Sequence, residues 1–495
     1  MFFDDNNILR LGRLIARGGP GGMTELEFFA REIRLWKASR ARIAQMHGEA
    51  YYRGRHDILR RKRTVIGADG EPTEVKNIPN NRIVDNQYAL MVDQKVNYLV
   101  GKPFTVKCDN KQYRQALEKV FSSGFRRTIK YVAEDALNCG ICWVYPYYNK
   151  RNELVFRRFP AYEINPYWAD DEHTELDCAV RLYRQEVYEG RERKQIERVE
   201  IFKKDGLWRY VFDDDGELIP DVELGEHENY LGVDTDDGRK EYNWERIPLI
   251  AFRTNKQELP LLTRVKSLQD GINAILSDFQ NNMQEDARNT ILVITNYDGE
   301  NLGELRQNLA AYGAVKVRDD GGVTTLHIEV NSQNYKVILD MFKKALIENA
   351  RGYNAKDDRM SGNPNQMNIQ SMYSDIDLDA NGMETEFQAA FGELLFFINA
   401  HLANSGQGSY EDKVEIVFNR DILINESEAI KNCSDSAGIL SEETIIEQHP
   451  WVTDASAELK RIKKERERTR EDYPAAFGAK KPQKGRDSEE GSGDE

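Results

Sequence analysis

The sequence predicts a helix-rich α+β protein, on three observations. A block of strand patterns lies between about residues 141 and 254, long amphipathic helix patterns stand before and after it, and a small α/β module interrupts two of those helices. At 495 residues the chain is longer than one hydrophobic core organises, and length alone suggests roughly two to four domains. Hydrophobic residues make up 40% and charged residues 31%, the composition of a globular protein with a charged surface. The net charge of −15 argues against a protein that grips nucleic acid over its whole surface, because such a protein neutralises phosphates with clustered Lys and Arg. It is compatible with one that DNA merely passes.

Asp4 and Asp5 interrupt the start before an apolar core forms, so no signal peptide is expected. The five cysteines are few and odd in number, which points to a reducing, intracellular setting. Cys139 and Cys142 have the spacing of a redox motif or half a zinc site, but no second Cys pair or His pair accompanies them. Their segment, ALNCGICWVYPYY, reads as a helix end, a glycine and a buried strand. No apolar run approaches the ~20 residues that span a membrane, so no membrane partner is expected.

Residues 1–23 end in GGPGG and are expected to be flexible. Thr24 and Glu27 then form a capping box ahead of a helix expected from Thr24 to Met46. A basic cluster follows, Arg53, Arg55, Arg60, Arg61, Lys62 and Arg63, which reads as contact with DNA, with a neighbouring subunit, or as a solvated face. Ile83, Tyr88, Met91 or Val92, Val96 and Leu99 keep helical spacing over residues 82–100, and a second helix is expected from Lys111 to Asn138. Strands are expected at ICWVYPYY and ELVFRRF around the turn NKRN, then at 176–188, 196–203 and 207–212. The acidic stretch from Asp213 to Lys240 reads as loops. Next, Leu261, Val265, Leu268, Ile272, Ile275 or Leu276, Phe279 and Met283 alternate steps of three and four along one seam. A strand, a helix over 301–313 and two strands around the turn RDDGG make the inserted module, after which Tyr335, Ile338, Phe342, Leu346, Ala350 and Tyr353 form a second helical stripe.

Between that helix and a third, expected over Met367 to Leu402 with Ile369, Tyr373, Ile376, Met383, Phe387, Phe391, Leu394 and Ile398 in register, lies NAKDDRMSGNPNQMNIQ. Gly362, Asn363 and Pro364 should break the chain there, and the side chains of Lys356 and Arg359 balance those of Asp357 and Asp358. A strand at KVEIVF and helices near 426–437, 442–447 and 454–468 complete the chain, with a tail poor in apolar residues and ending KKPQKGRDSEEGSGDE expected to be disordered.

Neither Gly-x-Ser-x-Gly, HExxH nor a Walker A motif is present, and no enzyme is expected. Asp375, Asp377, Asp379 and Glu386 fall at positions 1, 3, 5 and 12 of a calcium-binding loop, but Ala380 stands where that loop needs glycine, and the helical pattern runs through them. They are kept as a weak metal candidate, and no cofactor is expected. No Lys or Arg occurs between Arg359 and Lys413, while eight acids do, a surface expected to repel phosphates and to favour a conduit over a clamp.

Several stretches, YYRGRHDIL, NNRIVDNQYALMVDQKVNYLVGKPF, FPAYEINPYW, RIPLIAFRTN and LQDGINAILSDFQNNMQEDARNTILVI, together resemble the portal (head-to-tail connector) proteins of tailed bacteriophages, siphovirus type, from Gram-positive phages and prophages. The resemblance implies a ring, usually of twelve copies, at a capsid vertex in the virion, made in the host bacterial cytoplasm. Double-stranded DNA would be packaged through it by a terminase and later ejected. It implies a wing at 24–254, stem helices at 258–288 and 331–353, a clip at 289–330, a tunnel loop at 354–366, a long wing helix and strand at 367–424, a crown at 425–470 and a tail at 471–495. The implied partners are further copies of the chain, DNA, terminase, major capsid and scaffolding proteins, and a head-completion or adaptor protein at the clip. Lys356, Asp357, Asp358, Arg359, Ser361, Gly362, Asn363 and Asn365 would face DNA. The alternatives are another virion protein, such as a minor head protein or adaptor, and a calcium-dependent hydrolase centred on residues 375–386.

Overall fold

The computed structural model describes residues 23–66, 70–74, 78–235, 238–286, 291–298, 316–326, 332–354, 366–420, 426–452 and 455–472. The chain divides into two units, one of Met1–Asn354 with Tyr373–Asp421 and one of Ala355–Met372 with Ile422–Glu495. No helix among the described residues is long and apolar enough to cross a membrane.

The first unit opens with α1 (Glu25–Lys37), where the Thr24 hydroxyl accepts the Glu27 N–H and the Glu27 carboxylate accepts that of Thr24. One helix to Met46 is not what forms. Ala38 leaves the helix, and Ser39, in extended conformation, accepts the Arg42 N–H to start α2 (Arg40–Tyr52). The helix expected over 111–138 divides in the same way, into α4 (Lys111–Val120) and α5 (Ser123–Cys139), with Ser122 accepting the Phe125 N–H. Between these pairs lie the antiparallel strands β1 (Thr64–Ile66) and β2 (Pro72–Glu74), then α3 (Gln87–Val100) and β3 (Thr105–Lys107). A serine that satisfies a new helix's first amides competes locally with continuation, and apolar spacing across the break is blind to it.

The CGIC segment closes α5 and starts β4 (Ile141–Tyr148) through Gly140, whose φ is 84°. A Cβ there would lie 2.0 Å from the Glu258 carbonyl oxygen, so only glycine fits. Burial pushes both thiols far above the ordinary range. β4 lies between β5 (Leu154–Phe159) and β14 (Ile250–Arg253) in an antiparallel sheet. A larger antiparallel sheet runs β10-β9-β8-β7-β6 (Leu218–Pro220, Gly206–Phe212, Glu192–Lys203, Leu176–Glu189 and Ile164–Trp168), with β11 (His227–Glu228) also on β9. The loops expected from Asp213 to Lys240 therefore hold short strands, including β12 (Leu231–Thr235) paired with β13 (Gly238–Tyr242). Edge strands this short show no legible alternation. Phe28, Phe29 and Ile33 of α1 cover one face of the larger sheet, against Tyr167, Val180, Leu182 and Ile201.

The helix expected over 367–402 is α8 (Gln366–Asn404), 39 residues and roughly 58 Å at the α-helical rise. Its predicted stripe from Ile369 to Ile398 is buried, and Phe387 and Phe391 meet Phe252, Phe104 and Phe418 in an aromatic core. α6 (Leu262–Asp286) and α7 (Ser332–Asn349) pack together, and a Cβ on Gly271 would meet the Phe342 ring at 2.4 Å. Phe279 and Tyr335 rings also pack at 5.1 Å. Of the predicted stripes, Val265, Ile272, Leu346 and Ala350 are buried, whereas Met283 and Ile338 are exposed. Between these helices, β15 (Ile291–Tyr297) pairs antiparallel with β16 (Val317–Leu326). RDDGG is thus not a hairpin turn but part of β16. Asp320, with φ of 61°, and an irregular step between Thr295 and Tyr297 absorb the extra backbone. The helix expected over 301–313 lies outside the described residues.

In the second unit, α9 (Glu426–Asp435), α10 (Glu442–Glu447) and α11 (Ala455–Asp472) fall close to the predicted helices. Arg466 of α11 ion-pairs with Glu442.

Asp135 of α5 gives a pH signature. Burial raises its pKa to about 6, opposed by its ion pair with Arg158. A folded pKa above the unfolded value of 3.8 means that the associated stability is present below about pH 4 and is lost as pH rises through 6. Unfolding free energy measured by urea titration should therefore contain a fall of about 2 kcal/mol between pH 4 and 6, absent in Asp135→Asn.

Candidate functional site

The two-helix pair is fixed to the segment that enters α3 by a row of polar side chains. Gln269, Asn273, Ser277 and Asn281 recur every four residues on α6 and are all buried. They face the extended segment leading into α3, whose backbone amides find no sheet partner. Asn281 Oδ1 accepts the N–H of Asn81 at 2.7 Å, Ser277 Oγ that of Ile83 at 2.9 Å, Asn273 Oδ1 that of Asp85 at 3.0 Å and Gln269 Oε1 that of Tyr88 at 2.9 Å. The Gln269 amide also donates to the Asp85 carbonyl at 2.7 Å. A buried amide without an acceptor is costly, so side chains supply what a sheet would. Around this ladder, Asn273 contacts the His56 ring at 2.8 Å, and Tyr51 donates to Asp270 at 2.6 Å. Burial lowers the His56 pKa and raises that of the Tyr51 phenol. Lys266 bridges Asp57 at 2.6 Å and Asp270 at 2.7 Å.

The other end of α3 holds the chain where it leaves α7. Arg351 adopts φ of 51°, which stops the helix. Gln94 then grips Tyr353 through both backbone groups, donating to its carbonyl at 2.8 Å and accepting its N–H at 2.9 Å. The buried Lys95 ammonium donates to the Arg351 carbonyl at 3.2 Å and pairs with Asp379 of α8 at 2.7 Å. Burial lowers the Lys95 pKa, and Asp379 opposes the shift. The Tyr373 ring lies 4.5 Å from that of Tyr353 and 5.8 Å from that of Tyr98. Lys356, Asp357, Asp358, Arg359, Ser361, Gly362, Asn363 and Asn365 lie outside the described residues.

The acidic stretch is not the repelling surface expected. Asp377 and Glu384 pair with Arg420, Asp379 with Lys95, Arg264 and Arg351, Glu386 with Arg253, and Glu393 with Arg246. Carboxylates without local bases draw cations from elsewhere in the fold, and a count along the chain misses this. Asp375, Asp377, Asp379 and Glu386 all lie on the continuous helix α8, with Asp375 exposed. Among the described residues, no group of three or more His, Cys, Asp or Glu is placed to hold a metal ion.

The basic cluster is largely spent inside the molecule. Arg53 pairs with Glu49, Arg61 with Asp278 at 2.6 Å and Lys62 with Glu74 at 3.1 Å, and Arg63 donates to the Pro79 carbonyl at 2.8 Å. Arg55 and Arg60 are exposed and form no ion pair among the described residues.

Comparison with known proteins puts the chain among the structural proteins of bacteriophages. It belongs to the phage portal proteins of the SPP1 Gp6-like family, whose family model matches residues 33–472. It is 28% identical over 424 residues to the portal protein of Bacillus phage SPP1, covering 85% of this chain and 83% of that one. It is 27% identical over 446 residues to the portal protein of Clostridium phage phiCD119, covering 87% and 94% respectively. A chain from the neck of a native GTA particle, computed with C12 symmetry, is 10% identical with a TM-score of 0.36, over 74% of this chain and 88% of that one. A likeness that distant carries no argument.

Asn273→Ala removes the acceptor for the Asp85 amide and the contact to His56. Urea unfolding should show a loss of about 1–3 kcal/mol, against little change for Ala at exposed Lys336 on the neighbouring helix.

Proposed function

We propose that copies of this chain close into a ring around a channel at one capsid vertex, through which a terminase drives double-stranded DNA during packaging and from which DNA leaves on ejection. Twelve copies is the number the family resemblance implies. The observation that carries this reading is the apolar exposure left on the helix pair. Val337, Ile338 and Met341 on α7 and Met283 on α6 are between 44% and 64% exposed. Large apolar side chains left exposed on paired helices call for a cover, and in a ring the cover is the neighbouring copy's pair.

In this reading residues 289–330 form the clip, which meets the head-completion protein or adaptor and the terminase. The wing meets major capsid and scaffolding proteins, and residues 355–365 approach the DNA. Gln94, Lys95 and the Tyr353–Tyr373 contact support the last role, because they hold the chain on both sides of that segment against a rigid body. Lys356 and Arg359 against Asp357 and Asp358 would let it touch phosphates without trapping them. The internal pairing of Arg53, Arg61 and Lys62 favours an architectural role for the basic cluster over a DNA grip, with Arg55 and Arg60 left to meet a neighbouring subunit.

Negative-stain imaging with native mass measurement tests the assembly. Rings with a central hole are expected, and Met341→Asp should reduce the ring fraction by roughly tenfold while leaving the monomer folded. A stable small oligomer without a hole would favour a minor head protein or adaptor instead. Charge-neutral shortening of residues 357–365 should leave rings intact and impair packaging in a complementation assay. Normal packaging would remove the segment from the channel.

A further inference from the structure

The first unit carries two surfaces of opposite charge that the channel reading leaves unused. Residues 102–130 hold eight Lys or Arg against two acids, in a chain of net charge −15. Folding spends little of this charge. Lys111, Arg114 and Lys119 of α4 and Arg126, Arg127 and Lys130 of α5 form no ion pair among the described residues, and all but Arg114 and Lys130 are exposed. Lys130 donates to Asn97 at 2.8 Å, and the Arg126 guanidinium lies 5.6 Å from the Phe104 ring. The two helices turn their apolar sides into one cluster, where the rings of Phe104, Phe121 and Phe125 pack 5.0 to 6.4 Å apart, so these cations are left on the outward side. Tyr131 and Glu118 are exposed beside them.

The opposite surface is the β9–β10 edge of the larger sheet. Between Arg209 and Arg239 the sequence has eleven acids and no Lys or Arg. Asp221 and Glu223 pair with Arg198 and Glu228 pairs with Arg209, but Asp214, Asp215, Glu217 and Glu226 are exposed and form no ion pair among the described residues. Arg34 of α1 donates to the Gly216 carbonyl in this turn, at 2.7 Å. The same edge exposes Ile219, Val222 and Leu224, with Val222 94% exposed. Apolar side chains set among unpaired charges have the make-up of a contact surface, an apolar centre with a charged rim.

Identical copies joined in a ring of more than two meet through unlike faces, so the contact sets one patch of each chain against a different patch of the next. A nucleic acid would use the cations and be repelled by the acidic edge, whereas a second copy supplies the counterpart of both. We propose that the β9–β10 edge of one copy, with Asp214, Asp215, Glu217 and Glu226 around Ile219, Val222 and Leu224, docks on the outward side of α4 and α5 of the next. This rests on the ring reading and adds a charged contact to the apolar one on the helix pair. Its unlike charges orient the encounter and set which face of each copy meets its neighbour.

Two charge reversals in the full-length chain test the contact. One is Lys111→Glu, Lys119→Glu and Arg127→Glu, the other Asp214→Lys, Asp215→Lys and Glu217→Lys, all at exposed positions, with folding checked by circular dichroism. Each reversal alone should lower the ring fraction, read by native mass and negative stain, roughly tenfold. An equimolar mixture of the two should restore rings in which the variants alternate, resolved by making one isotopically heavy. A single chain carrying all six changes should also restore them, because unlike charges then meet again. Rings unaffected by either reversal overturn the proposal, as does a loss that neither the mixture nor the combined chain repairs. Retention of a double-stranded DNA fragment that the basic reversal abolishes while rings stay intact also overturns it, and assigns α4 and α5 to nucleic acid. A chain that closes only on a capsid is read by complementation with the same set and the same expected order. Rings that ignore the reversals remove this contact and keep the channel reading, whereas open chains of copies that obey them without closing keep the contact and remove the channel.

Discussion

The arrangement of α6 against α3 and the elements around it depends on how the backbone between Asn81 and Tyr88 is satisfied. This segment is extended but belongs to no sheet, and its inward amides would be left without acceptors if α6 presented only an apolar face. The ladder from Gln269 to Asn281 removes that cost and in doing so fixes α6 against the entry to α3. Tyr88, the last residue of the ladder, also donates to Asn138 of α5 at 2.9 Å. The same α3 then carries Gln94 and Lys95 to the end of α7. One short helix therefore ties the position of α6 to α5 and to the chain on either side of residues 355–365.

What the sequence made legible was apolar and periodic. The stripe of α8, the buried part of the α6 and α7 seams, the strands β4, β5, β7, β8 and β9 and the capping box at Thr24 all follow from spacing and side-chain type, whereas the five-residue β6 does not. The breaks at Ser39 and Ser122 did not, because each rests on a single hydroxyl competing with a helix that the apolar pattern would continue. The ladder was hidden for a different reason. Gln269, Asn273, Ser277 and Asn281 look like a solvated face by polarity. Their regular four-residue step beside an apolar seam was the available signal, but nothing nearby along the chain shows that a strand-like segment 180 residues or more away covers it. The grip of Gln94 on Tyr353 is equally non-local, so the candidate site was legible as a place along the chain and not as a set of contacts.

Charge shows the same limit. A run of carboxylates from Asp375 to Glu393 with no intervening base reads as a bare acidic surface, yet Arg420, Lys95, Arg264, Arg351, Arg253 and Arg246 converge on it from four separate stretches of chain. In the basic cluster at 53–63, Arg53, Arg61, Lys62 and Arg63 likewise find partners within the chain. Electrostatic arguments from sequence hold for the net balance and fail for a patch, since folding decides which opposite charges meet.

The ladder also works as a vernier. Four residues of helix advance ~6.0 Å, and two residues of extended chain ~6.6 Å, so successive rungs drift by ~0.6 Å. Three rungs, from Asn81 to Asp85, tolerate that drift, and the fourth is met only because the chain turns into α3 and Tyr88 comes round three residues later. A longer ladder would fall out of step. A slip by one residue would turn the wrong amides towards α6, so the pairing has a single register, and the mismatch of two pitches sets where α3 begins.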